Sequence, residues 1–249
     1  RFNQILEGDI NHLAFHKYID TQYVDCEPKL IANNALTWEG FLRCKQSLEG
    51  EPDWILLGDS HAEHLFLGLA NTNTDKNIVF YIFDGEPYFD NPQFLNVYGV
   101  LKTPTKPKLI FLTMHFVQRV TNSKKLYDDF TKTVHKLKEF GHDVVLLGDI
   151  PIYKVSPEDC VFAPTLERSM SHCSMSINDF INQKSIYDPV LKKVAEENNL
   201  IYIPLDSALC NEDTCSMINE NTILYRDANH LNIPGSQLIG SYISQQLNK

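Results

Sequence analysis

The stretch Trp54-Ile55-Leu56-Leu57-Gly58-Asp59-Ser60-His61 constrains this chain more than any other. Its four apolar residues are too few for a core helix, and they do not alternate with polar ones as a half-exposed strand would, so they read as a strand covered on both faces. Gly58 breaks the strand into a turn, and the pattern from Ala62 to Ala70 is helical. A strand-turn-helix junction exposes a hydroxyl and aims the unpaired N–H groups of a helix N-terminus at any developing negative charge. The same small polar residues also serve as ordinary helix caps. These eight residues do not choose between a cap and a nucleophile.

From Trp54 onward, short apolar runs alternate with amphipathic ones, as a parallel sheet with crossover helices requires. Further strands are expected at Ile78 to Phe83, Leu109 to Thr113, Val144 to Leu147 and Leu200 to Ile203. Helices are expected from Asn122 or Ser123 to Gly141, from about Ser185 to Glu197, and from Pro234 to the C-terminus, with Leu238, Ile239, Tyr242, Ile243 and Leu247 on one face of the last. Residues 1–51 are irregular and rich in Asn and aromatics; they read as an extension packed on a single main domain, 52–249, with one helix near Asn11 to Tyr18. Asp84 to Pro107 and Pro151 to Met175 interrupt the alternation. Both follow strand C-terminal ends, the edge where open α/β sheets bind ligands, and are expected to shape the site.

With 32 acidic against 22 basic residues the formal charge is −10, which disfavours nucleic acid and anionic membrane surfaces as partners. No run approaches the roughly 20 apolar residues of a membrane span, and the N-terminus lacks a signal-peptide layout. The chain opens at Arg1 without a methionine, so targeting information is expected to lie outside it. The six cysteines fall into near-neighbour pairs, Cys26–Cys44, Cys160–Cys173 and Cys210–Cys215. Six cysteines permit 15 full pairings, and the near-neighbour set is the one expected, each bridge closing a loop. Such bridges point to an oxidising compartment; the alternative is six reduced thiols in a cytosolic protein.

The second informative stretch is Tyr225-Arg226-Asp227-Ala228-Asn229-His230-Leu231-Asn232, just before the last helix. Asp227 and His230 are three apart, so one tight turn puts both side chains on one side. A carboxylate accepting from imidazole Nδ1–H leaves Nε2 free to take a proton from a serine. A lone Asp-x-x-His is more often a surface turn; joined to Gly58-Asp59-Ser60 it means more. Together the two stretches resemble the SGNH hydrolases, or GDSL-like esterases, which carry Ser, Asp and His in that chain order. Gly58-Asp59-Ser60-His61-Ala62 and the tail Leu209-Cys210, Cys215, Tyr225, Asp227, His230-Leu231 and Gly235 narrow the resemblance. They look like the periplasmic SGNH domain fused to membrane acyltransferase-3 proteins, which O-acetylate bacterial surface polysaccharides.

That resemblance, from about residue 52 to the end, implies a three-layer α/β/α, flavodoxin-like fold around a central parallel sheet. It implies Ser60 as nucleophile, His230 as general base and Asp227 as its orienting partner. The oxyanion would be held by the Ser60 N–H and by Gly85 after the second strand. The family's Asn after the third strand is absent: Leu112-Thr113-Met114-His115-Phe116 stands there, and His115 is the candidate substitute. The implied activity is O-acyl transfer, with acetyl the expected group, to a cell-surface carbohydrate through an acyl-serine. The alternatives are a secreted carbohydrate acetyl-esterase and an inactive carbohydrate-binding domain. No cofactor or metal is implied. The acyl donor would be delivered by a fused or partner membrane acyltransferase-3 domain, and the chain would be the periplasmic, soluble domain of an inner-membrane protein.

Four other groups have competing readings. His61 and His64 have helical spacing for a shared metal but lack an obvious third ligand, and His64 is expected at the surface or core edge. Asp149 reads as a turn residue before a substrate contact, while Arg119 and Arg226 suit either the surface or a bound sugar or carboxylate. An Asp partner is expected to raise His230 above an unperturbed value of about 6.5.

Overall fold

The structure, a computed structural model, describes residues 6–162 and 165–249. Residues 1–5 of the extension and 163–164 of the second long insertion lie outside the described residues. The sheet runs β1 (Val24–Asp25), β2 (Lys45–Gln46), β3 (Trp54–Gly58), β4 (Ile78–Ile82), β5 (Leu109–Leu112), β6 (Asp143–Leu147) and β7 (Ile201–Ile203) along the chain. Its spatial order is β1-β2-β4-β3-β5-β6-β7. The pairs from β4 to β7 are parallel, and β1 and β2 add an antiparallel edge from the N-terminal segment. Counted alone, the parallel strands follow the doubly wound order 2-1-3-4-5, whose switch point lies beside the first of them, β3.

The continuous apolar runs serve two cores. Side chains alternate between sheet faces, so Leu56, Phe80, Ile82, Phe111, Val145 and Leu147 fall in one cluster. Ile55, Leu57, Val79, Tyr81, Ile110, Leu112, Val144 and Leu146 fall in the other. The first face is covered by α2 (Ser60–Thr72) and α7 (Ile233–Leu247), through Leu65, Phe66, Leu69, Ile239 and Ile243, with α1 (His12–Gln22) adding Phe15 and Ile19. The second is covered by α3 (Leu95–Leu101), α4 (Ser123–Glu139) and α6 (Asp188–Asn198). This is the three-layer α/β/α arrangement.

Three elements depart from the expectations. Asp84 to Pro107 contains α3, whose Val97, Tyr98 and Leu101 are buried; its Pro and Asn content masked the helix, because Pro92 stands in a 3₁₀ turn just before it. The helix expected from Ser185 starts at Asp188, with Pro189 in its first turn, and a separate α5 (Ile177–Lys184) precedes it. All three cysteine pairs are disulfide-bonded. Cys26–Cys44 does more than close a loop, since Cys26 directly follows β1 and Cys44 precedes β2, with Cys26 N–H donating to the Cys44 carbonyl.

Two glycines set how α2 and α7 cross. A Cβ on Gly68 would lie 1.7 Å from the Ser236 carbonyl oxygen, and one on Gly240 would lie 2.1 Å from the Gly68 carbonyl carbon. The Ser236 hydroxyl also accepts from Gly68 N–H at 3.0 Å. Because α2 begins at Ser60 and α7 begins three residues after His230, this backbone contact fixes the distance between the two informative stretches.

Candidate active site

Ser60 occupies the first turn of α2, with Asp59 as the N-cap. Gly58 is required there: a Cβ would sit 2.0 Å from the Thr113 carbonyl oxygen, so only glycine lets β3 end against the loop after β5. Asp59 is almost fully buried, and its carboxylate ties that loop to the turn. Oδ1 accepts from His61 N–H at 2.9 Å, and Oδ2 accepts from His115 N–H at 3.1 Å and from Arg119 Nε at 2.5 Å. Burial opposes ionisation of Asp59, but His61, these N–H donors and Arg119 outweigh it and hold the carboxyl below its usual range. Arg119 is thus spent on Asp59 and on Asp84, 3.4 Å away, and orients the turn.

Asp227 and His230 lie in the tight turn before α7. Asp227 Oδ1 accepts the N–H groups of Asn229 at 2.8 Å and His230 at 2.7 Å, which locks the turn. Its Oδ2 accepts from His230 Nδ1 at 2.7 Å, and His230 Nε2 lies 2.9 Å from Ser60 Oγ. The tautomer follows: a carboxylate only accepts, so Nδ1 carries the proton and Nε2 faces the hydroxyl as acceptor. The structure therefore joins Ser60, His230 and Asp227 in one hydrogen-bonded chain with the polarity that nucleophilic acyl transfer needs.

The electrostatics differ from the sequence expectation. Burial lowers His230 to about 4, outweighing Asp227, with Arg226 and His61 pushing the same way. The imidazole therefore stays an unprotonated base well into the acid range. The rate of Ser60 acylation is expected to be level from about pH 5.5 to 8 and to fall with an acid limb near 4; a stopped-flow pH profile with its midpoint at or above 6.5 would contradict this environment.

His64 is 1% exposed, contrary to a surface position: helical spacing puts it one turn below Ser60, its ring 6.0 Å from that of His230. His61 is equally buried, and its Nδ1 meets Asp149 Oδ1 at 2.6 Å. Asp149 is buried at the strand end, where besides His61 it accepts from the N–H groups of Ile150 and Phe116. Arg226 is buried rather than at the surface, donating to the Leu231 carbonyl and lying over the Phe15 ring at 3.9 Å. His115 is 7% exposed, and its ring stacks on that of His61 at 4.1 Å between centroids, with His61 in turn 5.3 Å from His230. Gly85 is buried in the loop after β4, where a Cβ would meet Gln93 at 2.6 Å and Asn91 at 2.8 Å.

Sequence reasoning missed two contributions. The first is Glu63, fully buried, which receives both Nε and Nη2 of Arg43 from the N-terminal segment. The second is His12, whose Nε2 lies 2.9 Å from Asp227 Oδ2. A helix near Asn11 to Tyr18 was expected, but nothing local shows what its face meets.

The family described as SGNH domain (fused to AT3 domains) matches residues 28–245. No curated protein sequence matches the chain. Among solved structures, the chain is similar to the periplasmic domain of a lipopolysaccharide acetyltransferase from Salmonella ser. Paratyphi A, with 18% identity, a TM-score of 0.59, and coverage of 97% of this chain and 100% of that one. A GDSL-like lipase from Bacteroides thetaiotaomicron matches with 13% identity and a TM-score of 0.49, over 78% of this chain and 87% of that one. At 18% identity the Salmonella structure speaks for the fold alone, and the match over residues 28–245 carries the assignment: the chain belongs to the family of SGNH domains found fused to AT3 domains.

Proposed function

We propose that this domain is a serine O-acyltransferase that moves a small acyl group, acetyl in the first instance, onto a hydroxyl of bacterial cell-surface carbohydrate. The observation that carries the chemistry is the hydrogen-bonded chain Ser60–His230–Asp227. The preference for transfer rests on the family, whose domains occur fused to AT3 domains, and on the named activity of the Salmonella neighbour.

In the first half-reaction Ser60 Oγ attacks the donor's carbonyl carbon while its proton passes to His230 Nε2. The tetrahedral oxyanion is held by the Ser60 N–H at the start of α2, by the Gly85 N–H and by His115. Burial and the neighbouring His61 push His115 down, so it offers a neutral N–H in place of the absent Asn. One such donor supplies about 2.7–4 kcal/mol of transition-state stabilisation. Collapse breaks the bond to the donor oxygen, which leaves with the proton from His230, and acyl-Ser60 remains. In the second half-reaction a sugar hydroxyl gives its proton to His230 and attacks the acyl carbon, and as the bond to Ser60 Oγ breaks His230 returns that proton to it, restoring the free serine.

The acyl donor is delivered from a membrane AT3 domain, and the domain works on the periplasmic side, consistent with three disulfides. Among the described residues no helix is long and apolar enough to cross a membrane. Product analysis with an activated acetyl ester and an oligosaccharide acceptor tests the reading. Acetylated sugar in excess over free acetate is expected; acetate alone would assign the domain to glycan deacetylation instead.

A further inference from the structure

The triad chain does not end at Asp227. Its Oδ2, the oxygen that accepts from His230 Nδ1 at 2.7 Å, also meets Nε2 of His12 at 2.9 Å. His12 is the first residue of α1, in the N-terminal segment, more than two hundred residues away in sequence. On the other side of its ring, Nδ1 accepts from Arg226 Nε at 3.3 Å. A guanidinium only donates, so this contact leaves the His12 proton on Nε2, the atom aimed at the carboxylate. The tautomer that Asp227 needs is thus set by its own sequence neighbour.

The partners of His12 are themselves held. Asn11 caps α1, accepting from the N–H groups of Leu13 and Ala14. Phe15, one turn on, packs under the Arg226 guanidinium at 3.9 Å, and His16 stands 3.8 Å from Glu63, three residues after Ser60. The Trp38 ring, from a short hairpin of the same segment, lies 6.1 Å from His12 and 4.6 Å from His16. One face of α1 therefore meets the residues flanking both the nucleophile and its base.

We infer that His12 is a positioning residue for the triad: it clamps the Asp227 carboxylate, and through it the His230 imidazole, in the orientation that presents Nε2 to Ser60. It touches no reacting atom. Asp227 Oδ1 is already held by the N–H groups of Asn229 and His230, whereas Oδ2, the oxygen that orients the imidazole, otherwise has only His230 Nδ1–H; His12 gives it a second, independent donor from outside the turn. The consequence is that the base is fully oriented only while α1 is docked. This inference rests on the proposed roles of Ser60, His230 and Asp227.

The test compares the whole domain with its His12→Ala and His12→Gln variants, using an activated acetyl ester. The Gln side-chain amide reaches where the imidazole Nε2 stood and donates to the same carboxylate. Expected are a fall of about tenfold in kcat for His12→Ala with KM within twofold, and recovery to within threefold of wild type in His12→Gln. The proton resonance of His230 Nδ1–H, followed in histidine-labelled protein, is expected to shift in His12→Ala and to return in His12→Gln. A kcat unchanged in His12→Ala, or equal losses in both variants with the resonance unmoved, would overturn the inference. If instead Ser60→Ala keeps its activity, the triad reading itself fails, and the two failures are told apart.

Discussion

Ser60→Ala is expected to lower turnover of an activated acetyl ester by at least about a thousandfold, and His230→Ala by a comparable factor. The reason is the proton path at the site: Ser60 Oγ lies 2.9 Å from His230 Nε2, and that nitrogen is the acceptor because Asp227 holds the proton on Nδ1. Without the hydroxyl there is no acyl-enzyme; without the imidazole the hydroxyl is not activated. The two losses should not add, since either one removes the same step, and the double variant should be no slower than the worse single one within about threefold. What survives in all three is the background catalysis of the helix N-terminus and the other oxyanion donors. Initial rates for the two single variants and the double variant check this. Losses that multiply would mean that Ser60 and His230 act in separate steps.

The second large effect falls on stability. Arg43→Ala is expected to destabilise the domain by about 3 kcal/mol and lower its melting temperature by roughly 6–12 °C. Glu63 is 1% exposed, and Arg43 delivers two donors to its carboxylate from the N-terminal segment, so truncation leaves a buried charge without its main partner. The figure lies at the low end for a broken buried pair because His16, at 3.8 Å, still faces the same carboxylate. An apolar double replacement, Arg43→Met with Glu63→Leu, should recover most of the loss, because the cost is that of a stranded charge rather than of a missing contact. Calorimetry on the two variants separates these: a double variant as unstable as Arg43→Ala would show that the pair contributes net stability.

The fold was legible in the sequence where a local rule governs it. The strands from Trp54, Ile78, Leu109 and Val144 announced themselves by short apolar runs, and α4 by its three-and-four spacing ended at Gly141. Helix α3 was hidden because Pro92 and Asn91 signal a turn equally well when they start a helix. At the site, the spacing of Asp227 and His230 fits a single turn, but their meeting with Ser60 depends on how α2 crosses α7, which Gly68 and Gly240 decide through backbone contact that no hydrophobic pattern records. The low basicity of His230 was misjudged for the same kind of reason: the Asp partner is visible in the sequence, while the burial that outweighs it is not. Glu63 and His12 were beyond reach, and the burial of Arg226 with them, because each contact joins the N-terminal segment, which reads as irregular, to a residue far along the chain.

The proposed chemistry passes through a covalent acyl-Ser60 intermediate, which acid-quenched intact-protein mass spectrometry detects. After brief exposure to an activated acetyl ester, the wild-type domain should gain the mass of one acetyl group, mapped to the peptide that holds Ser60, and the Ser60→Ala variant should gain none. An acetyl group found on another residue, or present equally in Ser60→Ala, would rule Ser60 out as the nucleophile.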